Sequence, residues 1–162
     1  MRKIKVLFFV LLTILIVGCS HKSRFKIDTK SSDLKIKIHR FDKDVFALDT
    51  NNLAVGLPEL KEKYGSFFKI YTQDIMKLGS PDSAPFVPTF RAFLTDSVFR
   101  NVYTESLRVF NDVSDIEKKL TTAFIYMKHY FPEKQIPEVY MHVSGFNQSV
   151  VVADNILSLS ID

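Results

Sequence analysis

Leu34, Ile36 and Ile38 alternate with Lys35, Lys37 and His39, which is the period of a half-buried strand. From Arg40 the period lengthens. Phe41, Val45, Phe46 and Leu48 fall on one side of a helix, and Asp42 stands where a cap would. Residues 51–78 repeat the helical pattern twice, first through Leu53, Leu57 and Leu60 to Tyr64, then through Phe67, Phe68, Tyr71, Ile75 and Leu78. Gly65 predicts a helix terminus between the two, with Ser66 capping the second. Gly79, Pro81 and Pro85 interrupt both regular structures and predict a loop.

Phe90, Phe93 and Leu94 predict a short helix, and Thr95-Asp96-Ser97 caps a longer one carrying Phe99, Val102, Tyr103, Leu107 and Phe110. Ser114-Asp115-Ile116-Glu117 has the form of a capping box. It opens a helix whose buried stripe is Ile116, Leu120, Ala123, Phe124, Met127 and Phe131, closed by Pro132. Strand character then returns. Val139, Met141 and Val143 alternate with Tyr140, His142 and Ser144, residues 145–148 turn, and Ser149–Ala153 runs back. A second turn at Asp154-Asn155 leads to Leu157, Leu159 and Ile161. The expected class is α+β, with a helical middle and a small sheet built from the N-terminal strand and the C-terminal hairpin strands.

The N-terminus has a different grammar. Arg2, Lys3 and Lys5 precede an apolar run, Val6–Val17, broken only by Thr13. At ~1.5 Å per residue that run reaches ~18 Å, short of a ~30 Å hydrocarbon core. It reads as a signal peptide. Ile16-Val17-Gly18-Cys19 resembles the bacterial lipobox, which implies diacylglycerol on the Cys19 thiol, cleavage between Gly18 and Cys19, and acylation of the new amino terminus, as by palmitate.

Removing residues 1–18 leaves 144 and changes the charge. The chain has 22 Lys+Arg against 18 Asp+Glu; three of the positives lie in the signal, which leaves 19 against 18. No concentrated positive face remains for phosphates, so nucleic acid is not an expected partner. Cys19 is the single cysteine, so no intramolecular disulfide forms and stability rests on packing. Fifteen phenylalanines and six tyrosines supply a core rather than a cofactor box. The expected organisation is a signal peptide at 1–18, a polar lipidated tether at 19–33, and one α+β domain at 34–162.

Four stretches carry a resemblance: the lipobox, Lys-Ile-His-Arg-Phe-Asp-Lys-Asp-Val-Phe at 37–46, Tyr-Met-Lys-His-Tyr-Phe-Pro at 126–132, and Ser-Gly-Phe-Asn-Gln-Ser-Val-Val-Val-Ala-Asp-Asn-Ile-Leu at 144–157. Together they resemble the GldB family of gliding motility lipoproteins of Bacteroidetes. The resemblance implies a lipid-anchored, periplasm-facing protein at the cell or outer membrane. It implies other gliding-machinery proteins as partners, no cofactor, a structural rather than enzymatic role, and a further C-terminal half beyond Asp162.

Two alternatives stay open. The family is distantly similar to predicted zinc peptidases, which would make the domain an incomplete zincin-like one with its metal site in that further half. His-Glu-x-x-His is the spacing such chemistry needs. His21, His39, His129 and His142 do not supply it, and Pro132 separates His129 from Glu133. The other alternative is a periplasmic lipoprotein that binds a ligand or peptide at a sheet edge. Gly-x-Ser-x-Gly and phosphate-cradling glycine loops are absent from the sequence. Asp154 and Asn155 are read as turn residues.

Overall fold

The computed structural model describes residues 26–162. The proposed signal peptide, Gly18 and Cys19 lie outside the described residues, as does the first part of the tether. The chain divides after Ser31. Of the first unit, the described part holds a local turn in which the Lys30 N–H donates to Asp28 Oδ1 at 2.9 Å.

The second unit, Ser32–Asp162, is α+β. Its elements in order are β1 (Ile38–His39), α1 (Phe41–Phe46), α2 (Leu53–Ile70), a π-helical turn (Tyr71–Ile75), α3 (Phe86–Thr95), α4 (Ser97–Phe110), α5 (Ser114–Tyr130), β2 (Glu138–His142), β3 (Val150–Ala153) and β4 (Ile156–Ser160). No helix among the described residues is long and apolar enough to cross a membrane.

The four strands lie in the order β1-β2-β4-β3. β1 and β4 both run parallel to β2, and β3 pairs antiparallel with β4 through the Asp154-Asn155 turn. This corrects the expected hairpin over 139–153, since β3 never touches β2 in the ladder. A central parallel strand is covered on both faces. Accordingly Val139–Ser144 are all buried instead of alternating.

The strand pattern at 34–39 holds in burial, with Ile36 and Ile38 inside and Lys35, Lys37 and His39 outside. Only Ile38 and His39 pair with β2. The outward N–H groups of this edge are met by α5, where Ile36 N–H donates to Thr121 Oγ1 at 2.9 Å and Ile38 N–H to Glu117 Oε1 at 3.0 Å. Glu117 is therefore not a capping-box partner. Ser114 does not cap either; it is the first helical residue, and its N–H donates to Asp112 Oδ1 at 2.9 Å.

Asp42 is another correction. It sits inside α1, fully buried, and binds Arg40 through Nε at 2.9 Å and Nη2 at 2.6 Å instead of capping the helix. Arg40 Nη1 also donates to Asn111 O at 3.1 Å, tying the start of α1 to the α4–α5 turn. Asp96 does cap, accepting from the Val98 and Phe99 N–H groups. At Gly65 the backbone turns to φ 44°, ψ −116°, a conformation few side chains permit. Helical residues continue on both sides, and Ser66 makes no capping bond.

Phe41 is the hub of the core, edge-on to Tyr64, Phe67 and Tyr71 at centroid distances of 4.8, 5.1 and 4.6 Å. Each such pair adds about 0.5–1.5 kcal/mol beyond its buried area. Phe67 stacks on Tyr140 of β2 at 4.3 Å, which joins α2 to the sheet. The α5 stripe is shallower than its spacing predicts: Phe124 is buried, Ile116, Leu120 and Met127 are half-buried, and Ala123 and Phe131 are exposed.

Candidate functional site

Parallel strands place their C-terminal ends together, and in open sheets that mouth is where ligands bind. Here it gathers His142, Ser144, Ser158, Ser160 and Asp162. The parallel register sets Tyr140 beside Ser158 and His142 beside Ser160. Period two then puts Tyr140, His142, Ser144, Ser158, Ser160 and Asp162 on one face.

The Asp162 carboxylate accepts from the Ser144 and Phe146 N–H groups, each at 2.8 Å, and from the Ser160 hydroxyl. Burial pushes this carboxyl up, but the bonds from Ser144, Ser160, Phe146 and Gly145 together hold it below the ordinary carboxylate range. Gly145 and Phe146 have φ of 67° and 62°. Successive N–H groups turned inward by such a bend make an anion nest. The chain fills that nest with its own side chain. Ser144 Oγ completes the loop, accepting from the Asn147 and Gln148 N–H groups at 3.2 and 3.3 Å.

His142 lies deeper. Its Nδ1 is 2.7 Å from Ser158 Oγ, and both residues are fully buried. Nε2 has no partner of hydrogen-bonding geometry among the described residues. Burial drives the imidazole down to about 4, against the opposing pull of Asp162 and the Gln148 backbone. It is therefore neutral at pH 7. Tyr71, brought round by the π-helical turn, donates its hydroxyl to Val143 O at 3.0 Å. Its burial, with Asp162 and Asp42 nearby, keeps the phenol protonated.

A Ser–His contact is the raw material of nucleophilic catalysis, yet Ser158 Oγ is sealed from solvent and Asp162 is saturated by backbone donors. What the cluster does is lock the ends of β2 and β4 and hold the 145–149 loop in one shape. That loop presents Phe146, 75% exposed. After the loop, one face of the sheet opens toward the β3 edge. Along two rows the burial fades from Met141 through Leu159 to Val150, and from Val139 through Leu157 to Val152; Val150 and Val152 are 57% and 75% exposed.

A family model described as gliding motility protein GldB matches residues 22–162. The chain belongs to that family. No curated protein and no solved structure matches it. In this GldB-family chain, the 144–157 stretch that carried the resemblance builds the nest, the exposed Phe146 and the β3–β4 turn.

Sequence reasoning named Cys19 and Gly18 and missed the mouth of the sheet. The signal was present as polar residues every second position in two apolar strands, His142 and Ser144 in one, Ser158, Ser160 and Asp162 in the other. Asp154 and Asn155 form the β3–β4 turn, Asp154 at φ 27°. His129 stays in α5 while Glu133 lies past its end at Tyr130. Among the described residues no three His, Cys, Asp or Glu side chains are placed to hold a metal ion. Away from the mouth, a concavity of about 560 Å³ opens beside the start of α2, lined by Leu53, Leu57, Pro58, Lys61, Val87 and Arg91 among others.

Proposed function

We propose that this gliding motility family member is a lipoprotein, anchored through Cys19 and facing the periplasm, that serves the gliding machinery as a structural, protein-binding component. The observation that carries the binding role is the apolar sheet face around Val150 and Val152, left open on the strand that follows the loop presenting Phe146. Contiguous apolar surface held on a rigid frame marks an interaction site more often than a solvated face. The mouth of the sheet supports the same reading, because apart from the buried His142 Nε2 its polar groups are consumed by one another and by backbone instead of being turned outward.

Anchoring is supported by the basic start, the short apolar run and Gly18-Cys19. The test is a Cys19→Ser allele replacing the gene. The expected result is protein lost from the membrane fraction and colonies that no longer spread. Membrane-bound protein with normal spreading overturns the anchored reading, and normal spreading of a deletion strain overturns the role in motility.

A further inference from the structure

The path of the chain into the domain fixes which end of the fold an anchor would pull toward a membrane. Ile38 and Ile36 bond to Glu117 and Thr121 of α5, so lower numbers in this segment run alongside higher numbers in the helix. Two strand residues advance ~6.6 Å and four helical residues ~6 Å, which keeps the two in step. Carried on at the same rise, Leu34 lies level with Ile125 and Ser32 with His129. The sheet gives the same answer independently. Ile38 pairs with Val139 in parallel, so Leu34 falls level with Gln135, in the segment that leaves α5. The chain therefore enters the domain beside the C-terminal tip of α5, at the pole opposite the mouth of the sheet.

That tip has the composition of a membrane-interface contact. Tyr130 and Phe131 are 43% and 54% exposed. Lys128 donates to Pro132 O and Lys134 O, and the Lys134 N–H to Phe131 O at 3.0 Å, which folds residues 131–134 into a fixed turn. Tyr126 and His129 pack against the Tyr130 ring at 6.5 and 4.9 Å. Exposed Lys35, Lys128 and Lys134 outnumber the exposed Asp33 and Glu133 here by three to two. Aromatic rings settle at the level of lipid head groups, and lysines reach anionic phosphates from there.

We propose that Tyr130 and Phe131 rest in the head-group layer of the membrane that holds Cys19, seating the domain on lipid with the mouth of its sheet outward. This rests on the anchored reading above. Cys19 lies fifteen residues before Leu34, a reach of about 50 Å at full extension. An anchor of that length keeps the domain near the surface, and the tip of α5 decides which side faces it.

The sequence has no tryptophan, so Phe131→Trp places a single reporter in the tip. Val109→Trp places one on an exposed residue in the last turn of α4, just ahead of α5, whose own length from Ser114 to Tyr130 is about 24 Å. Each lipidated full chain is reconstituted into phosphatidylethanolamine–phosphatidylglycerol vesicles with brominated acyl chains, then floated and its fluorescence read. The expected result is co-flotation of both, with the Trp at 131 blue-shifted and quenched several-fold more than the Trp at 109. Co-flotation with equal quenching at both positions, or with none, overturns the seating while leaving the anchor standing; a tip reserved for a protein partner gives the latter. Failure to float, with an unmodified Cys19 by mass spectrometry, sinks the anchor and the seating with it.

Discussion

Asp42→Asn is the sharpest probe of what holds the domain together. The substitution keeps the volume of a fully buried side chain and removes its charge, leaving Arg40 with a side chain only 15% exposed and one remaining bond, to Asn111 O. Two charge-assisted bonds at 2.9 and 2.6 Å are weakened or lost at once. Stranding one member of a buried ion pair costs about 3–5 kcal/mol, a large share of the about 5–15 kcal/mol that holds a domain of this size. That corresponds to a fall in melting temperature of about 10 °C or more. Thermal melts and urea titrations by circular dichroism measure it. Replacing both partners, Arg40→Met with Asp42→Leu, should recover most of the loss, because an apolar pair of similar volume carries no desolvation penalty. A cost below about 1 kcal/mol for Asp42→Asn, or a double variant no better than the single one, refutes the reasoning.

Two further outcomes follow from the mouth of the sheet. The folded His142 ring has its pKa driven down from 6.5 to about 4, so between those values the unfolded chain binds the extra proton. Stability is fully present above about pH 6.5 and falls by about 3 kcal/mol as the pH drops toward 4; His142→Gln should flatten that slope in urea titrations, whereas an unchanged slope assigns it elsewhere. Gly145→Ala builds a Cβ 2.7 Å from Phe99 Cε1 at a φ of +67°. It should cost at least about 1 kcal/mol by thermal melt, and a neutral result would mean the 145–149 loop is not held as described.

Much of the helical layer was legible because local chemistry decides it. Asp96 caps α4, Pro132 stops α5 two residues past its last one, Tyr130, and the 53–57–60–64 spacing puts one face of α2 inside whatever lies opposite. The strand pairings were not. Val150–Ala153 follows β2 across a turn-like segment, and adjacency suggests a hairpin, but the order is decided by where the His142 and Ser144 face meets the Ser158 and Ser160 face. Nothing local encodes that match. Ser114 and Glu117 likewise have the spacing of a capping box, and a distant need prevails: the free edge of β1 requires an acceptor, and Glu117 supplies it. Asp42 shows the same override, a cap-type residue drawn inside by Arg40 two positions away. The candidate site was hidden for that reason too, since its members are ordinary serines until the register brings them together.

The proposal most directly at stake is that gliding-machinery proteins dock on the sheet face that exposes Val150 and Val152. Val150→Thr with Val152→Thr keeps β-branched residues at exposed positions and so leaves folding nearly intact, while removing the apolar character of the face. Expressed in a deletion strain at the wild-type level of membrane-bound protein, the double variant should fail to restore colony spreading; full restoration would contradict the account.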